Sequence, residues 1–96
     1  MQHKKTFIVK GTFVVRNEKG LHTRPSTELV KCSSSFNSKI QLFYRNYSVN
    51  AKSLLGILML AARRGAKIKI EATGEDAKNA INAILTLASK KFNIRY

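Results

Sequence analysis

Between residues 67 and 92 the apolar side chains change once from an alternating pattern to a helical one. Residues 67–73 read Lys-Ile-Lys-Ile-Glu-Ala-Thr, which predicts a strand with one buried face. After a Gly-Glu-Asp turn, apolar residues recur at helical spacing from Ala77 to Phe92. The two acids precede this helix, where negative charge faces the positive end of the helix dipole. This part of the chain therefore predicts a sheet covered by an amphipathic helix.

Two further segments predict a strand and a helix before residue 35. Residues 7–15 are rich in β-branched and aromatic side chains and predict a strand, with Gly11 as a candidate bulge. Pro25 stands where a proline costs a helix no hydrogen bond, so a helix is expected over 24–34. Its inward side chains are Leu29, Val30 and Cys32.

The middle of the chain predicts a hairpin and a short apolar helix. Residues 40–44 and 47–50 flank Arg45-Asn46, where Asn46 can tolerate a positive φ. Residues 53–61 follow as a helix with Ser53 at its N-cap. The element order is thus βαββαβα, which predicts an α+β fold: a four-stranded antiparallel sheet with three helices on one face. Ninety-six residues allow one domain, spanning 1–96.

The charge of the chain constrains its partners more than its fold. Eighteen Lys and Arg residues against five Asp and Glu give a net charge of +13, which suits a nucleic acid or an acidic partner. The cations are scattered in pairs, however, and form no run of the kind found in nucleic-acid tails. A soluble basic domain remains the alternative.

Several classes of site and compartment are disfavoured. A single cysteine, Cys32, cannot form an internal disulfide, and with two histidines it gives no metal-ligand spacing. No Walker loop or dinucleotide fingerprint occurs, and no carboxylates are spaced as a hydrolase dyad. Neither a signal peptide nor a membrane span is recognisable. We therefore expect a cytoplasmic protein without cofactor, metal or membrane insertion.

His22 is the residue best placed for chemistry. It lies between a strand end and a helix start in Gly-Leu-His-Thr-Arg-Pro-Ser, residues 20–26, and Arg24 is two residues away. Unpaired N–H groups at a helix start and a guanidinium together suit a phosphate-sized anion. On spacing alone, the alternative of a loop histidine that caps the helix, with Arg24 in solvent, stays open.

Three segments resemble the HPr family, the histidine-containing phosphocarriers of the bacterial phosphoenolpyruvate-dependent sugar phosphotransferase system. They are the His22 motif at 20–26, the segment Ala-Lys-Ser-Leu-Leu-Gly-Ile-Leu-Met-Leu at 51–60, and the Gly-Ala, strand and Gly-Glu-Asp-Ala pattern over 65–77. The resemblance covers residues 7–92 and implies an open-faced β-sandwich.

The resemblance also implies roles for individual residues. His22 would be the phosphoacceptor, through Nδ1, and Arg24 would pair with the phosphoryl group. Ser53 is similar to the serine that a dedicated kinase, HPr kinase/phosphorylase, phosphorylates in many members. Leu54, Leu55 and Leu58 would dock onto partners, which are enzyme I and IIA proteins. Such a protein carries a phosphohistidine between partners and is not a turnover enzyme.

Some features depart from the family pattern. Ser26 stands where alanine is usual, a change that we expect to be tolerated, and +13 is unusual for the family. Gly56 is similar to the lineage that has the kinase. Two other functions remain open: a small basic nucleic-acid-binding module, and a purely regulatory protein-interaction domain read through Ser53.

Overall fold

A computed structural model describes residues 7–96. Its helices and strands follow the predicted order βαββαβα, with one added turn of 3-10 helix near the C-terminal end. The strands are β1 Ile8–Val14, β2 Lys39–Tyr44, β3 Tyr47–Asn50 and β4 Lys67–Thr73, and the helices are α1 Thr23–Ser34, α2 Leu54–Met59 and α3 Ala77–Ser89, with the 3-10 turn at Lys91–Asn93.

The four strands form one antiparallel sheet in the order β1-β4-β2-β3, so β4 lies between β1 and β2. Alternate residues of β4 are fully buried against the helices, as its pattern predicts, while Lys67 and Lys69 point to solvent. On this open face Lys10 pairs with Glu71 at 3.9 Å. The architecture is the expected open-faced α+β sandwich. Its core joins the two central strands to all three helices through Ile40, Leu42, Ile68, Ile70, Leu29, Ile57, Ile81 and Ile84.

Three local predictions are wrong. Gly11 is no bulge, because β1 pairs with β4 without interruption; a Cβ there would lie 3.0 Å from Ile81 of α3, so the glycine lets this helix approach the sheet. In the hairpin turn the positive φ belongs to Arg45 rather than to Asn46. Phe92 is buried as expected but lies beyond the end of α3, in the 3-10 turn.

A side chain at the start of α3 holds the loop that follows α1. Asp76 is the N-cap of α3, but its carboxylate accepts hydrogen bonds from the chain after α1, at Ser38 and Asn37. The Ser38 hydroxyl and these N–H groups lower the pKa of Asp76.

In α1, Leu29 is fully buried, and partial burial raises the pKa of the Cys32 thiol. No helix within residues 7–96 has the length and apolar character needed to cross a bilayer.

A backbone contact joins the loop before α1 to the loop after α2. The N–H of Leu21 donates to the carbonyl oxygen of Ala62 at 2.9 Å. Gly20 has a φ of +70°, and a Cβ built on it would lie 2.3 Å from that same oxygen. Only glycine permits this approach, which places the chain at the entrance to α1.

We expect Gly20→Ala to lower the free energy of unfolding by about 2–4 kcal/mol, because the new methyl group meets fixed backbone at a left-handed residue. Gly65→Ala is the matched control. Gly65 also has a positive φ, +90°, but a Cβ there meets nothing within 4 Å. The free energy of unfolding of Gly65→Ala should therefore fall by only about 1 kcal/mol. Denaturant titration of both variants measures the two decreases in the free energy of unfolding. Equal decreases would show that the close approach to Ala62 does not add to the cost of the substitution at Gly20.

Candidate functional site

His22 is the N-cap residue of α1 and has an extended backbone. The first hydrogen bond of the helix runs from the N–H of Ser26 to the carbonyl oxygen of His22, at 3.0 Å. The N–H groups of Thr23 and Arg24 precede it and have no acceptor within the helix. The His22 side chain does not cap them. The helix start can therefore bind an anion, whereas the alternative of a capping histidine does not hold.

The His22 ring is half-buried, and its two nitrogens differ in their surroundings. Nε2 is buried and has no hydrogen-bond partner among the described residues. With Nε2 enclosed, Nδ1 is the nitrogen left to react with a group that arrives from solvent. The geometry thus favours the same nitrogen that the family resemblance implies.

Arg24 is exposed, but it is not simply solvated. Its Nη1 donates a hydrogen bond to the hydroxyl of Tyr96, and its guanidinium lies 5.5 Å from the centre of the Tyr96 ring. The same ring stacks on His22, with centroids 5.8 Å apart and planes inclined by 13°. The structure thus brings His22 and Arg24 together around Tyr96, a residue that the sequence analysis did not single out.

The segment that carries Tyr96 is held in place by burial and by hydrogen bonds. Three consecutive residues, Lys91 to Asn93, have positive φ and turn the chain back after α3. Phe92 anchors this turn in the core, edge to face with Phe13 at 5.6 Å. The buried amide of Asn17 donates to the main-chain oxygens of Lys91 at 3.0 Å and Tyr96 at 3.3 Å. Residues other than glycine adopt a positive φ only where the surrounding contacts stabilise that backbone conformation.

The serine at the alanine position fits the loop. Ser26 is fully buried, and its hydroxyl donates to the carbonyl oxygen of Leu21 at 2.9 Å. A buried hydroxyl with a partner carries little net cost. The structure thus gives a physical reason for the expected tolerance.

Ser53 is the N-cap of α2, as predicted. Its hydroxyl oxygen accepts a hydrogen bond from the N–H of Gly56 at 3.1 Å, and the side chain is partly exposed. A Cβ on Gly56 would lie 3.3 Å from that hydroxyl oxygen and from Val49. The glycine therefore leaves room for the cap.

The helix that follows Ser53 presents an apolar surface, which we call the α2 patch and define as Leu54, Leu55, Leu58 and Met59. Leu55 and Met59 are 69% and 70% exposed, Leu54 is at the edge of exposure, and Leu58 is half-buried. Met59, one turn after Leu55, was not predicted. Ile57 and Leu60, on the other side of the helix, are buried in the core. Because Leu21 bonds to Ala62, the end of α2 lies beside the His22 loop.

Within residues 7–96, no three His, Cys, Asp or Glu side chains gather as a metal site. The chemistry available at His22 is that of an imidazole, a guanidinium and helix N–H groups, which together suit a phosphoryl group.

Comparisons with known proteins agree with this geometry. Residues 9–90 match the family described as the PTS HPr component phosphorylation site. The structure resembles an HPr from Thermoanaerobacter tengcongensis at 36% identity, covering 92% of this chain and 99% of that one, with a TM-score of 0.87. For an HPr from Bacillus anthracis the identity is 33%, the coverage 82% and 94%, and the TM-score 0.78.

A third similar structure is Crh of Bacillus subtilis, a catabolite repression protein seen as a domain-swapped dimer. Its identity is 28%, with 95% of this chain and 97% of that one covered, and its TM-score is 0.70. The family match extends over most of the chain and includes the His22 loop, α2 and β4. The chain therefore belongs to the HPr family, the phosphocarrier proteins of the phosphotransferase system.

Proposed function

We propose that His22 accepts a phosphoryl group from a phosphorylated histidine of enzyme I and donates it to a histidine of a IIA protein, on the way to sugar uptake. The observation that carries this proposal is the uncapped start of α1 at His22, next to Arg24. The family supports a phosphocarrier, and the chemistry of this site names the atoms that would carry the group.

The step is an exchange of one P–N bond for another. The lone pair of His22 Nδ1 attacks phosphorus, and the P–N bond to the donor imidazole breaks with its electron pair returning to the donor. The buried Nε2 cannot compete for the phosphoryl group. The reverse sequence of events passes the group onward to the IIA protein.

Charge stabilisation is what the protein adds to this exchange. The N–H groups of Thr23 and Arg24 and the Arg24 guanidinium are donors for the equatorial phosphoryl oxygens. Within the described residues, no carboxylate bonds to His22 or Arg24. With no general base against the ring, water is not activated, and a labile phosphohistidine can persist until a partner arrives.

His22→Ala should abolish acid-labile phosphorylation by phosphoenolpyruvate and enzyme I, because the variant lacks the accepting nitrogen. The fold should survive, since the side chain is only half-buried. The measurement is incorporation of labelled phosphate, with circular dichroism as the check on folding. His3→Ala is the control and should be phosphorylated normally. Undiminished labelling of a folded His22→Ala protein would refute the proposed function.

Arg24→Lys should slow phosphoryl transfer by roughly one to two orders of magnitude, the equivalent of about 2–3 kcal/mol of charge-assisted bonding. Lysine keeps the charge but lacks the planar fork that contacts two oxygens at once. Rapid-quench kinetics with phosphorylated enzyme I give the rate. Arg45→Lys, in the hairpin turn, is the matched control. Transfer at the wild-type rate would make Arg24 a bystander.

We further propose that a kinase of the HPr kinase/phosphorylase type modifies Ser53, and that enzyme I docks on the α2 patch. Ser53 lies at the start of the helix that carries this patch, so a phosphate there would stand beside Leu54 and Leu55. The helix dipole tolerates an anion at an N-cap. A docked partner, however, would have to desolvate that anion.

Ser53→Asp should leave the thermal midpoint almost unchanged, because aspartate also caps helices well. It should weaken phosphorylation of His22 by raising the enzyme I concentration that gives half-maximal rate. Titrations of wild type and variant with enzyme I measure this shift. Ser48→Asp adds the same charge on β3 and serves as control. Coincident curves would leave Ser53 a plain helix cap, and an unfolded variant would exclude a switch there.

A purely regulatory role is the second candidate. The similarity to Crh and the capped Ser53 favour it. The phosphorylation assay separates the two: a regulatory domain would accept phosphate at Ser53 from a kinase but none at His22 from enzyme I.

A further inference from the structure

Tyr96 lies against three basic side chains at the start of α1 and in the loop before it, those of His22, Arg24 and Lys19. Its ring stacks on His22, its hydroxyl accepts a hydrogen bond from Arg24, and the Nζ of Lys19 lies 5.2 Å above its centre. The aromatic face carries negative electrostatic potential, which attracts the two cations. One side chain thus links the accepting ring to the group that stabilises the transferred charge.

The position of Tyr96 is determined by contacts far away in sequence. Asn17 is fully buried, and its amide donates to the main chain at both ends of the segment from Lys91 to Tyr96. Phe92, also fully buried, anchors the same segment. The position of the Tyr96 ring is therefore determined by buried contacts of Asn17 and Phe92, and not by a helix or strand that contains Tyr96.

The consequence falls on Arg24, which is exposed. A free arginine samples many rotamers, and ordering it against a phosphoryl group costs side-chain entropy. The Tyr96 hydroxyl restricts the guanidinium before the phosphoryl group arrives. A phenol that accepts a hydrogen bond still has its own proton to donate. The hydroxyl can therefore hold the Arg24 guanidinium without adding a negative charge that would repel the phosphoryl group.

We propose that Tyr96 is a positioning residue of the phosphoryl site, acting through Arg24: its hydroxyl holds the guanidinium beside His22, and its ring covers one face of the imidazole. This inference rests on the proposed transfer at His22. It assigns a role to the segment after α3.

The test is a double-mutant cycle of Tyr96→Phe and Arg24→Ala. Phenylalanine keeps the stacked ring and removes only the hydroxyl. Single-turnover transfer from phosphorylated enzyme I at saturation should slow by about fivefold to tenfold, as for the loss of one hydrogen bond. The half-saturating enzyme I concentration should stay unchanged. In the Arg24→Ala background the same change should slow transfer less than about twofold, since the two residues act as one unit.

A second readout needs no phosphoryl transfer. In the free protein, Tyr96→Phe should shift and broaden the Arg24 Nε–H resonance, while Tyr47→Phe, at an exposed tyrosine of β3, should leave it in place. An unchanged transfer rate, or an equal slowing in both Arg24 backgrounds, would overturn the proposal. If wild-type His22 takes no phosphoryl group, the proposed function fails instead. The Arg24 resonance then decides whether Tyr96 still holds the guanidinium.

Discussion

The short main-chain contact between Gly20-Leu21 and Ala62 is the constraint on which the site depends. It ties the loop before α1 to the loop after α2, with the Leu21 N–H 2.9 Å from the Ala62 oxygen. The start of α1 and the end of α2 are consequently set by the same few atoms. A side chain at residue 20 would push these loops apart. The His22 loop and the α2 patch therefore share one support.

Around that support, two cations and an imidazole lie beside one aromatic ring, and among residues 7–96 none of the three forms an ion pair with a carboxylate. The Arg24 guanidinium, the Lys19 ammonium group and the His22 imidazole all lie against the ring of Tyr96. An aspartate in the place of Tyr96 would hold Arg24 more tightly, but it would also repel a phosphoryl group. A phenol orders the guanidinium and leaves its charge available. This distinction suits a protein that must receive and release the same group.

The parts of the fold that sequence predicts well are those with a strong local pattern. The alternation over Lys67–Thr73 and the spacing after Ala77 follow from burial of one face, and the His22 motif is a compact local signal. Apart from the turn residue at Arg45, the errors and the omission of Tyr96 concern interactions over long separations. Gly11 serves a helix seventy residues later, and Tyr96 reaches His22 through the left-handed turn at Phe92. Neither spacing nor propensity encodes such contacts.

The missing side-chain cap at the start of α1 has an energetic meaning for a carrier. A phosphoryl group on His22 would supply the acceptor that this helix lacks, so the phosphorylated form gains what the free form does without. Whatever free energy the helix gains is subtracted from the free energy released when the group moves on. A helix that the phosphoryl group stabilised too strongly would not release the group. A helix already capped by a side chain would do little to stabilise the phosphorylated form. If His22 carries the phosphoryl group as proposed, the bare N-terminus of α1 would stabilise the phosphorylated form and so lower its group-transfer potential.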